Sequence, residues 1–496
     1  MKDLGSRSRS ALRWNFLGNG FRITAQFVIG IILARLLGPK PFGIVAVGWL
    51  VIGVANLVAD MGFGSALVQR DELHERDVRF VFWAQICVGI ALTLLGVGVA
   101  RPVAGFFSSP EAVSALQVMM SIFVLQALGQ SSSALLRRDL NFKAVQVAGA
   151  VSYLGGYLLV GIPLALLKFG YWSLVAAQVL QSGLNSAILL MLAKLDLRPV
   201  FRPHSHGLFS FGSKIIGANI LSWCIGNFDS LIIGRYIGVV DLGLYNRVMA
   251  LVNIPIIGVV NNVQTVLFAA SARAQSEMER VKRAFLVSVS GVGTICIPLF
   301  MVAAVVPRTL VLGVYGSKWI SAVPLARPLA LAMIAHCILC LVGPSLEATN
   351  KVSYEIRMQI ITVAVMIPLF LLLAQISVVA IAWGVCAIYT LRFLLLMGAF
   401  MVLTGMGIDE VKSRLIGPFL LGGIAILGAL GAEFYLGGFV PIVQLLFDVA
   451  GAVLLLLLML LLLHIPIVRG AIGSYLLVDL PLPQAMRRFL RLGALT

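Results

Sequence analysis

The residues of this 496-residue chain with the chemistry for a site are the few charges that interrupt its apolar runs. Three are cations: Arg22, Lys214 and Arg392. A guanidinium or ammonium group inside an apolar segment is costly to hold there. It suits a dense anion, which arginine can grip through two parallel hydrogen bonds. The structural alternative is snorkelling, in which a basic side chain near a helix end returns its charge to the interface. Lys214, nearest such an end, is most open to that alternative, and Arg22 least. Asp229 and Arg247 flank a turn of about seven residues. An antiparallel helix pair can join them as a static staple or as a contact that opens in a working cycle. Splitting such a buried pair costs roughly 3–5 kcal/mol. Asp60 can pair with Arg22 or cap a helix end. His336 fits a satisfied polar residue better than a proton relay. Cys337-x-x-Cys340 has no second pair beside it, and His204 with His206 are too few for a metal, so no metal and no cofactor are expected.

The segments that must position these groups are membrane spans. Sixty per cent of the residues are hydrophobic and 11% charged, with a mean hydropathy of +1.02. A soluble chain of this length would expose more apolar surface than water tolerates. Runs able to cross a hydrocarbon layer of ~30 Å recur throughout. The pattern predicts an all-α polytopic membrane protein with fourteen transmembrane helices: 12–35, 42–67, 80–100, 113–135, 144–167, 171–193, 209–235, 242–268, 284–306, 322–346, 352–374, 377–403, 413–434 and 440–463.

Lysine and arginine fix the orientation. Both termini and the even-numbered connections carry 25 of the 37, and the opposite connections carry 8 (Arg35, Lys40, Arg101, Lys168, Arg235, Arg308, Lys318 and Arg327). Arg22, Lys214, Arg247 and Arg392 lie inside spans. Both termini are therefore expected in the cytoplasm. The net charge of +17 follows from this bias and from attraction to anionic headgroups, not from nucleic-acid binding. Arg22 then lies roughly 12–15 Å down the first span.

An offset of 200 residues brings out an internal repeat. Arg35-Leu-Leu-Gly38 with Phe42-Gly43 matches Arg235-Tyr-Ile-Gly238 with Leu242-Gly243. Asn19 and Asn219, Ile32 and Ile232, and Leu67 and Leu267 also coincide. Six intervening spans give both copies the same orientation. Two six-helix lobes are expected at 1–200 and 201–405, then a helix pair within 406–465. A basic cytoplasmic tail at 466–496 lies on headgroups or is disordered. No phosphate-binding G-x-x-x-x-G-K-[ST] loop, H-E-x-x-H or G-x-S-x-G occurs, and the outer connections are short, which favours transport over catalysis.

Several segments resemble the polysaccharide-transport branch of the multidrug/oligosaccharidyl-lipid/polysaccharide exporter superfamily, the Wzx-type flippases of the colanic-acid kind. They are Ala34–Gly43, Leu57–Gly64 with Val68-Gln-Arg70, Ala134–Lys143, Asn227-Phe-Asp229 through Arg235, Gly243–Asn246 and Tyr315-Gly-Ser-Lys-Trp319. The likeness covers about 1–405. It implies a non-enzymatic carrier in the bacterial inner membrane that turns an undecaprenyl-pyrophosphate-linked sugar repeat unit to the outer leaflet by alternating access. Its partners would be membrane lipids, that lipid-linked oligosaccharide, and a polysaccharide polymerase with glycosyltransferases. On this reading Arg22, Lys214 and Arg392 face the pyrophosphate, and Asp229, Arg247 and Asp60 serve gating or coupling. Two other readings compete: a multidrug antiporter of the same superfamily, and a membrane glycosyltransferase or polymerase. The first usually has twelve spans and an acidic cation site, and short outer loops argue against the second.

Overall fold

The computed structural model describes the chain except residues 1, 60–73, 196–197, 201–212, 275–276, 349–351, 437–440, 446, 448–449 and 452–496. All regular structure among the described residues is helical. In chain order the helices are α1 (Lys2–Leu37), α2 (Pro39–Ala59), α3 (Glu75–Phe106), α4 (Ala112–Arg138, interrupted at Ser121), α5 (Phe142–Leu166), α6 (Tyr171–Ala193) and α7 (Ser213–Ile232). There follow α8 (Val239–Val252), α9 (Ile256–Arg273), α10 (Met278–Val305), α11 (Pro307–Tyr315), α12 (Val323–Ala348), α13 (Val352–Leu373), α14 (Val378–Thr404) and α15 (Ile408–Leu436).

Eleven of the described helices are long and apolar enough to cross a membrane, and twelve if α8 and α9 form one span bent by 41°. Pro255, which lacks an N–H, sits at that bend. The expected count was fourteen. The difference falls at α7, which stands where the seventh span was expected, and at 440–463, most of which lies outside the described residues with the tail. Exposed Leu94, Leu95, Leu159, Met191, Leu372 and Val402 give these helices apolar outer faces suited to lipid.

The chain forms two compact units, Met1–Asn246 and Arg247–Thr496, divided within α8. In the first, α4 packs on α3 and α6, α1 lies along α5, and α2 touches α4, α6 and α7. Phe82, Ile86 and Ala127 form one of its core clusters. In the second, α12 is the central helix, in contact with α9, α10 and α14, and Leu325, Ala326, Leu329, Ala330 and Cys337 on it are wholly shielded. Phe285 and Phe400 pack with ring centroids 4.6 Å apart between α10 and α14.

Two of the segments that carry the resemblance fold as turns. Leu140 takes a positive φ of 57° and Asn141 caps α5 by accepting from the Ala144 N–H at 3.2 Å, so Ala134–Lys143 is a helix–turn–helix corner. Gly316, at φ 86°, turns the chain after α11. Tyr315 and Trp319 on either side of it are buried against each other, and the Tyr315 hydroxyl donates to the Arg247 carbonyl at 3.0 Å.

Candidate functional site

The first unit holds Asp229 near the end of α7, 6% exposed. Its carboxylate accepts a short hydrogen bond from the Tyr245 hydroxyl on α8 and another from the Ser230 N–H at 2.6 Å. The Ser230 hydroxyl donates in turn to Asn246 Oδ1 at 3.1 Å. The sequence offered Arg247 as the partner of Asp229; Tyr245, two residues before it, is a partner the sequence did not offer. Asp229 and Tyr245 are 16 residues apart across the α7–α8 hairpin. A buried carboxylate with two donors is satisfied enough to remain in an apolar bundle.

Arg22 lies in α1, two residues inside its apolar window, and is partly buried. The neighbouring turns of α1 rest on α5: a Cβ at Gly18 would sit 2.6 Å from Gln146 Cβ, and the Tyr153 hydroxyl reaches the Gln26 carbonyl at 3.5 Å. Lys214 is in the first turn of α7, but its side chain lies outside those described, and Asp60 lies outside the described residues altogether. Arg247 is partly buried on α8.

The second unit builds a polar cluster around Arg392 on α14. His336 on α12 stacks on Tyr389, one turn before Arg392, with centroids 4.7 Å apart and planes 24° from parallel. His336 Nε2 lies 3.4 Å from Cys340 Sγ, and the Gln264 amide on α9 donates to the Cys340 carbonyl. Arg392 is electrostatically coupled to His336, Cys340 and Glu355, and Glu355 is coupled more strongly to Glu347. Glu355, on α13, accepts from the Gln359 amide at 3.1 Å and lies against Gly343 of α12, where an added Cβ would be 3.3 Å from Oε1. Three atoms of this cluster are buried without a hydrogen-bond partner among the described residues: Arg392 Nε, His336 Nδ1 and Glu355 Oε2. Each is a buried polar atom able to take a further hydrogen-bond partner.

Glu355 was not singled out in the sequence, although an acidic residue four before a glutamine at the head of an apolar run was there to see. Tyr245 sits inside the Gly243–Asn246 motif without having been recognised as the aspartate's partner. The six cysteines are free thiols, and no metal-holding group of His, Cys, Asp and Glu occurs among the described residues.

Comparison with known proteins follows the same lines. A family model described as "Polysaccharide biosynthesis protein" matches residues 32–324. The succinoglycan biosynthesis transport protein ExoT of Rhizobium meliloti (strain 1021) is 30% identical over 322 residues, 64% of this chain and 65% of that protein. The lipopolysaccharide biosynthesis protein WzxC of Escherichia coli (strain K12) is 22% identical over 76% of this chain and 77% of its own length. Among solved structures, the lipid II flippase MurJ in an inward closed conformation superposes with a TM-score of 0.67 at 10% identity, covering 90% of this chain and 97% of that one. An inward-facing multidrug MATE transporter gives 0.60 at 14% identity, over 78% and 95%. At these identities the structures establish a shared fold.

Proposed function

The chain belongs to the polysaccharide biosynthesis protein family, and from that membership we propose that it is a flippase for lipid-linked oligosaccharides. The observation that carries the reading is a family match across more than half the chain, joined to a multi-pass helical fold shared with a lipid II flippase over nine-tenths of it. The cargo is an undecaprenyl-pyrophosphate-linked repeat unit. It moves from the cytoplasmic to the outer leaflet of the inner membrane by alternating access of lobes 1–200 and 201–405, with 406–465 and the tail as additions. Both termini are cytoplasmic.

Arg22, Lys214 and Arg392 meet the pyrophosphate during transit, because a diphosphate in a low-dielectric path needs cations with fixed geometry. Glu355 tempers the charge of Arg392 when no phosphate is present, so that the guanidinium is not left uncompensated between cycles. Asp229, Arg247 and Asp60 belong to gating. Glycosyltransferases supply the cargo and a polymerase consumes it.

Deletion of the gene tests this reading. The deleted strain accumulates lipid-linked repeat units that a membrane-impermeant sugar oxidant cannot reach in intact cells, and the plasmid-borne chain restores access. Repeat units fully accessible in the deleted strain would overturn the assignment and reopen the multidrug reading.

A further inference from the structure

The two copies of the sequence repeat meet at one point of the first unit. A Cβ on Gly43 would overlap the carbonyl oxygen of Val239 and lie 2.7 Å from its carbonyl carbon. A Cβ on Gly243 would overlap the carbonyl oxygen of Pro39 and lie 2.9 Å from the Gly43 nitrogen. The repeat offset of 200 maps Pro39 onto Val239 and Gly43 onto Gly243. Each glycine thus faces the carbonyl four residues before the other glycine, the reciprocity of a two-fold contact. The backbones of α2 and α8 cross there at a spacing only glycine allows, with the Val239 side chain alongside.

The surroundings clamp this crossing. Gly38 and Gly238, at φ 77° and 139°, turn the chain just before each helix. Arg235 donates to the Phe106 carbonyl at 2.7 Å and stacks 4.9 Å over the Phe106 ring, while Lys40 pairs with Glu111 at 2.7 Å. A vestibule of about 430 Å³ lies over the crossing, lined by Lys40, Ser108, Glu111, Arg235, Tyr236 and Val239. Val239 belongs to both, so the crossing is the vestibule's floor. The connections that converge here are those that the charge pattern assigns to one side, the outer one.

We propose that the Gly43–Gly243 crossing is the outer seal of the transport path, and that the vestibule is the mouth it closes. This rests on the carrier reading, in which the outer side must be shut while cargo enters from within. Close backbone packing makes a seal that water cannot thread. The contact at its centre is backbone on backbone, so parting the helices there exposes mainly the flanking side chains of Phe42, Ile44, Leu242 and Leu244, which are shielded in this state.

The test uses full-length protein with its native cysteines replaced. Leu242, fully shielded beside Gly243, is changed to cysteine and labelled from outside with a membrane-impermeant maleimide. Gly43→Val forces the backbones apart, and the labelling rate should rise roughly tenfold or more as the closed state loses population. An unchanged rate in folded Gly43→Val protein would overturn the proposal. A second arm covers a variant that fails to fold. Cysteines at Phe106 and Arg235, joined by a short bifunctional methanethiosulfonate, should stop flipping of a lipid-linked oligosaccharide in proteoliposomes, and reduction should restore it. Undiminished flipping by the bridged protein would equally overturn it. Labelling needs no cargo, so a seal that opens as described in a protein that moves no lipid-linked sugar counts against the cargo and not against the seal.

Discussion

The Asp229–Tyr245 bond can be measured as a coupling. Tyr245 is wholly buried and its hydroxyl donates to a carboxylate that is itself 6% exposed. A hydrogen bond to a charged group contributes about 1.5–3 kcal/mol. Tyr245→Phe removes the donor and leaves one carboxylate oxygen short. Asp229→Ala removes the acceptor and strands the Tyr245 hydroxyl. The first unit has 246 residues, and in a domain of that size 1 kcal/mol moves Tm by about 2–4 °C. Tyr245→Phe should therefore lower the apparent Tm in detergent by roughly 3–12 °C. The double variant should lose little more than Asp229→Ala alone, a coupling of about 1–3 kcal/mol. Heating rates are matched, because membrane-protein unfolding is seldom reversible. Additivity of the two changes within about 0.5 kcal/mol would refute the bond as the carboxylate's anchor. Asp229→Asn separates anchoring from charge, since an amide can still accept from Ser230 and bond Tyr245. It should keep most of the Tm and, if the charge serves gating, lose flipping. Normal flipping by Asp229→Asn would remove Asp229 from the cycle.

Other outcomes follow from the cations and the topology. Arg392→Gln should cut flipping at least tenfold with near-normal abundance, and Arg392→Lys should recover only part, because a point charge cannot match a planar fork; full activity of Arg392→Gln would exclude it from the path. Arg22→Gln should behave alike. Glu355→Gln should lower folded protein by leaving the Arg392 charge uncompensated, and Arg392→Gln with Glu355→Gln should be more abundant than Glu355→Gln alone; a double variant worse than both singles would break the link. Reporter fusions at Glu277 should read cytoplasmic and at Ser109 or Ser317 external, and a cytoplasmic signal at Ser317 would overturn the orientation.

Much of the fold was legible because the bilayer enforces it. A span must be helical and apolar over its length, so composition predicts the long helices, though not α11, which lies in an expected connection, nor the break between α8 and α9; glycines at 38 and 238 mark turns by the φ they need. The repeat was visible at Gly43 and Gly243, but its meaning was not, because two backbones in contact leave no more trace in sequence than two small residues. Site partners were harder to read. Asp229 and Arg247 are opposite in charge and suitably spaced, but the tyrosine that bonds the carboxylate, two positions before Arg247, carries no charge to mark it in the sequence. Glu355 feels the charge of Arg392 from a separate helix, and no local spacing encodes that coupling. The bend at Pro255 was written as a proline within an apolar run and passed for a straight span.

The central claim is that this chain turns a lipid-linked oligosaccharide across a bilayer. The most direct measurement reconstitutes purified protein into vesicles carrying an undecaprenyl-pyrophosphate oligosaccharide with a fluorescent sugar, and follows quenching by an external impermeant reductant. About half of the label, the outer leaflet's share, should be quenched at once without protein. With the chain present nearly all should be quenched, and Arg392→Gln should return the curve towards the protein-free level. A wild-type curve that stops at the protein-free plateau, in vesicles shown to hold folded protein, would contradict the account.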